Sequence, residues 1–221
     1  MRVTRRLMVA ILLTICFSIG ASQELRQVPP RPAHLLFLPK KVWALHRKWP
    51  MILYLHGKSL RGSDLNSLKK YGLPKRLQKD KGFPFIVIAP QLANGQRWTD
   101  TNTLASLVND VANKYPVDRS RIYAMGFSMG ASGVWRVAHD HPSLFAAAVS
   151  IGGMYEKPLA MSGRLKGMPI WVIHGDADKD ASPAGAREIF ALHVKSGGTG
   201  QLTMLPGKGH NIPDVFDRSD L

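Results

Sequence analysis

The chain has 221 residues, 45% of them hydrophobic, enough for one good core and with little room for a second domain. Its formal charge of +15 favours anionic surfaces. There is neither zinc-finger spacing nor an aromatic RNA-binding signature, which argues against specific nucleic-acid recognition.

The N-terminus reads as a leader. Arg2, Arg5 and Arg6 precede an apolar run, Leu7 to Ile19, which gives way to small and polar residues at Gly20, Ala21, Ser22 and Gln23. That pattern predicts a signal peptide over 1–22, with an exported protein, periplasmic or secreted, over 23–221. The run is too short for a comfortable membrane span, so none is expected after processing. Removing three arginines lowers the charge from +15 to +12. Cys16, the only cysteine, goes with the leader and leaves a chain without disulfides.

Beyond the leader, short apolar runs alternate with longer amphipathic ones. The stretch 34–38 suggests an antiparallel edge strand, and 51–55, 85–89, 121–125, 146–151, 170–173 and 201–205 read as strands. Their nearly continuous apolar character indicates a sheet covered on both faces. Helical spacing is found over 102–115, with Leu104, Leu107, Val108 and Val111, over 132–141, and over 183–195 behind Pro183. Alternation of this kind predicts a single α/β domain with a mostly parallel sheet and helices on both faces.

In such sheets ligands sit beyond the carboxyl ends of the strands, so the residues that follow each strand are the ones to inspect. Gly126 to Gly130 spells G-x-S-x-G after an apolar strand and before a helical pattern. That spacing places Ser128 on a tight turn as a candidate nucleophile. A serine hydroxyl needs a base, and the base needs an orienting acid. His210, in the glycine-rich loop after the last strand, fits the base. Asp176, Asp178 and Asp180 share the loop after the fifth strand, and spacing does not choose among them. The oxyanion donors expected are the N–H of Met129 and one from the loop at Gly57-Lys58, with His56 orienting that loop. No paired ligand spacing for a metal is found, and the chemistry calls for no cofactor.

The runs YLHGKSLRGSD (54–64), PFIVIAPQ (84–91), RWTD (97–100), YPVDRSRIYAMGFSMGASGVW (115–135), PIWVIHGDADKDASP (169–183) and LPGKGHN (205–211) resemble a known group. They are similar, in order and context, to the small α/β-hydrolases that include polyhydroxybutyrate depolymerases, feruloyl and acetyl-xylan esterases, and dienelactone-hydrolase and prolyl-oligopeptidase-like proteins. The resemblance implies the α/β-hydrolase fold and puts the nucleophile at Ser128 and the base at His210. It puts the acid at Asp178, the last residue of the H-G-x-x-D run that begins at His174. Asp176 then shapes its loop, and Trp98 of the RWTD run joins His56 as a supporting residue. Leu60 stands where the group usually has glutamate and Ala131 where it has a second glycine, departures that weaken transfer of substrate preference.

About sixteen residues separate the fourth strand from the fifth, too few for a large cap. The expectation is therefore a serine carboxylesterase with an open site, acting on a small-molecule or polymer-linked ester. A serine peptidase for short peptides, a thioesterase, a lactone hydrolase and a non-enzymatic binding protein are the alternatives.

Overall fold

A computed structural model describes residues 31–40, 42–43, 47–80 and 82–217. The leader expected over 1–22, Cys16 included, lies outside the described residues. Seven strands form one sheet: β1 (His34–Phe37), β2 (Trp49–Leu55), β3 (Ile86–Pro90), β4 (Val117–Phe127), β5 (Ala147–Ile151), β6 (Pro169–Gly175) and β7 (Thr199–Leu205). Five helices accompany them: α1 (Gly72–Lys79), α2 (Thr101–Lys114), α3 (Met129–Asp140), α4 (Lys157–Met161) and α5 (Pro183–Lys195).

The strand order is β1-β3-β2-β4-β5-β6-β7. Only β1 runs antiparallel, pairing His34 with Pro90 and Phe37 with Val87 at the edge of β3. The central ladder sets Leu55 opposite Gly126, and Phe127 opposite Ile151. The unbroken apolar runs have a simple cause. Met51, Leu53 and Leu55 of β2 face a core built with α2, α3, α4 and α5. Ile52 and Tyr54 face the opposite core, made with Leu73 and Leu77 of α1 and with Val215 and Phe216 near the C-terminus. Both faces are covered, so alternate residues go to different cores and none needs to be polar. This is the α/β-hydrolase fold, and among the described residues no large cap is inserted.

The helix ends are set by local chemistry. Asp100 caps α2 by accepting from Thr103 N at 3.0 Å, and Pro116 follows its last turn. Ser182 caps α5 by accepting from Gly185 N at 3.3 Å, with Pro183 in the first turn. Several features differ from the sequence reading, among them a short helix, α4, that it did not contain. Helix α3 begins at Met129, not at 132, because the chain passes from strand to helix through Ser128 alone. Strand β4 begins at Val117, not at 121, since Val117 pairs with Trp49 across a register shift. Helix α1 was not anticipated: GLPKRLQK offers only Leu73 and Leu77, one turn apart, to its core.

Candidate active site

Everything in the site starts from the crowding at the end of β4. Ser128 has φ 55° and ψ −117°, the only positive φ at a non-glycine among the described residues. A left-handed conformation at such a residue costs roughly 1–3 kcal/mol and is held in place by its surroundings. Its amide is fixed by a 2.8 Å hydrogen bond to Ile151 O. The two motif glycines are there for space. A Cβ on Gly126 would lie 2.3 Å from Gly130 O, and one on Gly130 would lie 1.9 Å from Leu55 O. A side chain at Gly126 would push the first turn of α3 away from β4, and one at Gly130 would push it away from β2.

His210 arrives from the loop after β7. Its Nε2 is 2.8 Å from Ser128 Oγ, and its Nδ1 is 2.8 Å from Asp178 Oδ2. The ring leans on Phe127, with centroids 5.2 Å apart. Asp178 is buried; its Oδ1 accepts from Asp180 N at 2.8 Å and from Ala181 N at 2.9 Å. Burial alone pushes its carboxyl up, but the N–H donors of Ala181, His210 and Asp180 outweigh it and hold the acid below the ordinary aspartate value. An ionised Asp178 accepts from Nδ1–H and leaves Nε2 bare, facing the serine hydroxyl. That tautomer is the one able to take a proton from Oγ.

A second layer stands behind the acid. His174, fully buried, donates from Nε2 to Ala181 O at 3.0 Å, and the same nitrogen lies 3.3 Å from Asp178 Oδ2. Its Nδ1 is 3.5 Å from the hydroxyl of Tyr155, whose phenol burial pushes up to about 12. Asp176 does separate work: its Oδ1 accepts from Gly207 N at 2.7 Å, tying the β6 loop to the turn that leads to His210.

Across the cleft, the loop after β2 carries Gly57 and Lys58. A Cβ on Gly57 would lie 3.4 Å from Ser128 Cβ, so this backbone runs beside Ser128. His56 fixes the loop. Its Nε2 accepts from Leu92 N at 3.1 Å, which leaves Nδ1–H to donate to Gly57 O at 2.7 Å. Burial holds this imidazole below the ordinary histidine range and keeps it neutral. Trp98 Nε1 donates to His56 O at 3.0 Å. The site therefore brings together Ser128, Met129, His210, Asp178, Gly57 and Lys58, with His56, Trp98 and Asp176 acting on backbone around them.

The cleft over Ser128 measures about 620 Å³ and is lined by Gly57, Lys58, Arg61, Arg97, Met154 and Asp180 among others. Asp178, Asp180 and His210 also bring ligand-type atoms within 4.8 Å of one another. Both Asp178 oxygens and both His210 nitrogens are already engaged in the hydrogen bonds above, so a cation there would have to dismantle the relay.

The sequence model of the phospholipase/carboxylesterase family matches residues 94–216. This chain belongs to that family. Acetylxylan esterase A of Emericella nidulans is 31% identical over 86 residues, 33% of this chain and 28% of that protein. NocK of Nocardia uniformis subsp. tsuyamanensis is 33% identical over 79 residues, 36% of this chain and 23% of that protein. The chain thus spans about a quarter of the length of the curated relatives it matches. A thermostable esterase of known structure superposes with a TM-score of 0.68 at 27% identity, covering 78% of this chain and 50% of that one. Esterase PE8 superposes at 0.64 over 85% of this chain and 95% of its own, and at 18% identity that likeness concerns the fold alone.

Within this family frame, several site residues escaped the sequence reading. His174 and Tyr155 carry no motif beyond the histidine of H-G-x-x-D, and only the buried contact behind Asp178 reveals them. Gln91 is the third. Its buried Nε2 lies 3.0 Å from Leu60 O, 3.0 Å from Asp64 O and 2.8 Å from Ser67 Oγ, bracing the segment after Lys58. A more apolar depression of about 440 Å³ lies at the opposite end of β4 to β6, and no serine, histidine or aspartate lines it.

Proposed function

We propose that this member of the phospholipase/carboxylesterase family is an exported serine carboxylesterase. The observation that carries the reading is the continuous relay from Ser128 Oγ through His210 to Asp178, at 2.8 Å for each link. Ser128 is the nucleophile: as Oγ bonds to the ester carbonyl carbon, its proton passes to His210 Nε2. Asp178 holds the imidazole and balances the charge it acquires. The oxygen that becomes negative is received by the backbone N–H of Met129 and one from Gly57-Lys58, a role supported by the place of all three residues in the lining of the cleft over Ser128. Collapse of the tetrahedral species breaks the bond to the alcohol, which takes the proton from His210. Water then repeats the sequence on the acyl-enzyme, yielding the acid and free Ser128.

The substrate proposed is a small or polymer-linked ester. Support for it comes from the short connection between β5 and β6, which holds only α4 and turns and leaves the cleft open. Export is supported by the arginines and apolar run at the N-terminus. Reaction of the full chain with a fluorophosphonate, with peptide mapping and turnover of 4-nitrophenyl butyrate, tests the reading. Label on Ser128 and loss of both signals in Ser128→Ala are expected; label elsewhere, or a variant as active as the parent, would overturn it.

A further inference from the structure

The cleft over Ser128 is electrically lopsided. Lys58, Arg61 and Arg97 line one side, and Asp180 is the single carboxylate in the lining. The three cations are not neutralised by protein: among the described residues none of them takes part in an ion pair. Other basic residues of this chain do have such partners, Arg121 with Asp118 and Lys208 with Asp214 among them. Arg61 is also held in place. Its Nε donates to Lys58 O at 3.2 Å and its Nη1 to Gln96 O at 3.0 Å, two neutral acceptors that orient the guanidinium while leaving its charge uncompensated. The bond to Gln96 O joins the loop after β2 to the one carrying Arg97, so the three cations sit on two connected loops.

The direction of the reaction says which part of a substrate meets them. His210 must hand its proton to the departing oxygen, so the alcohol half lies over His210 and the loop of Asp178 and Asp180. There the exposed carboxylate of Asp180 stands within 4.8 Å of the engaged atoms of Asp178 and His210. A negative alcohol half would be repelled at that end. On the proposed mechanism the carbonyl oxygen meets the backbone of Met129 and of Gly57-Lys58, and the strand order puts that second loop on the side of the cations, away from β6 and β7. We infer that the substrate carries a negative charge on its acyl half, as in the half-ester of a dicarboxylic acid, received by Lys58, Arg61 and Arg97. The methylenes between the two ends would run past the apolar lining of Met129 and Met154. Favourable charge at the mouth of a cleft also raises the encounter rate, an effect that salt screens.

This inference rests on the esterase reading, and the test separates the two. The full chain is assayed on 4-nitrophenyl hydrogen suberate and its neutral isostere, methyl 4-nitrophenyl suberate, by release of nitrophenolate. A second pair, 3-acetoxybenzoate and 3-acetoxybenzamide, puts the charge on the alcohol half. The anionic suberate is expected to have a kcat/KM at least tenfold above its methyl ester. Arg97→Gln should cut that ratio threefold or more, and so should 0.5 M NaCl. Equal kcat/KM for the suberate pair, preference confined to the benzoate pair, or a ratio unmoved by Arg97→Gln would overturn the inference while leaving the esterase standing. If no ester is turned over and Ser128 takes no fluorophosphonate, the esterase reading falls and the inference with it.

Discussion

Trp98 donates its indole N–H to the carbonyl of His56 at 3.0 Å and sets its ring edge-on to the imidazole, with centroids 5.0 Å apart. This joins the loop after β3 to the backbone that leads into Gly57 and Lys58, the loop proposed to supply an N–H to the oxyanion. Trp98→Phe keeps the ring and removes the donor, leaving a buried carbonyl unpaired at a cost of about 1–3 kcal/mol. The expected result is a Tm lower by about 2–4 °C for each kcal/mol lost. Turnover of 4-nitrophenyl butyrate should fall about tenfold in kcat with little change in KM, since a displaced oxyanion donor matters most in the transition state. Unchanged kcat in the folded variant would mean that the indole only fills space.

The backbone of Ser128 stores strain that function requires and stability does not. At φ 55° a serine is costly, whereas glycine adopts this region freely. Ser128→Gly should therefore be inactive and more stable than the parent, with the roughly 1–3 kcal/mol of relieved strain reduced by the unfolded-state entropy that glycine adds. Thermal melts of Ser128→Gly and Ser128→Ala decide it. Ser128→Ala keeps the strain, and a Ser128→Gly variant that melts below it would contradict this account.

Gly130 gives the opposite case. An added Cβ would meet Leu55 O at 1.9 Å, where neither backbone can retreat without opening the junction of β2 and α3. Gly130→Ala should cost more than about 3 kcal/mol or prevent soluble expression, at the upper end of single-residue effects. A soluble Gly130→Ala protein with parental Tm would show that the elbow is looser than its contacts imply.

Asp178 also makes stability depend on pH. Its carboxyl is held below the aspartate reference of 3.8, so in this pH range the unfolded chain binds the proton first. The ionised acid therefore contributes stability that is fully present above the unfolded value and is lost as pH falls through the native one. Urea midpoints of the parent and of Asp178→Asn should differ by a constant amount above about pH 5 and converge below it. Using the difference cancels the titrating groups that do not touch Asp178. A gap that does not change down to pH 2 would mean that the carboxylate contributes nothing through its charge.

The parts of this molecule that could be read from sequence are those where one residue type is dictated locally. Continuous apolar runs located six strands because each face of the sheet is buried. Gly126 and Gly130 marked Ser128 because nothing larger fits between strand and helix. The glycine-rich loop after the last strand marked His210. Contacts made across long separations left no such trace. Leu73 and Leu77 are too few to announce α1, and the buried Nε2 of Gln91 reaches residues some 24–31 positions earlier. The layer of His174 and Tyr155 behind Asp178 is equally silent, since a buried histidine looks in sequence like any other. The same limit left three aspartates open when the spacing was read without the family resemblance.

Those three aspartates give the sharpest test of the site, because the structure assigns each a different contact. Asp178 accepts from His210 on Oδ2 while Oδ1 accepts from two backbone N–H groups, at Asp180 and Ala181. In Asp178→Asn the single amide oxygen is claimed by those two fixed donors, which turns the NH₂ group toward His210 Nδ1. The ring must then accept at Nδ1 and carry its proton on Nε2, the nitrogen that should receive the proton of Ser128. A loss of about 10²–10⁴ in kcat is expected, with the fold retained. Asp176 accepts one bond, from Gly207 N at 2.7 Å, and an asparagine oxygen can accept it equally well. Asp176→Asn should thus cost less than tenfold, whereas Asp176→Ala frees the turn before His210 and should cost more than the amide does. Asp180 uses its backbone N–H toward Asp178 and exposes its own carboxylate, so Asp180→Asn should also stay within tenfold on a neutral ester. All four variants are to be compared with the parent on 4-nitrophenyl butyrate at one pH, with Tm recorded to separate unfolding from chemistry. A folded Asp176→Asn protein that is crippled, beside an Asp178→Asn protein near parental turnover, would transfer the role of the acid to Asp176.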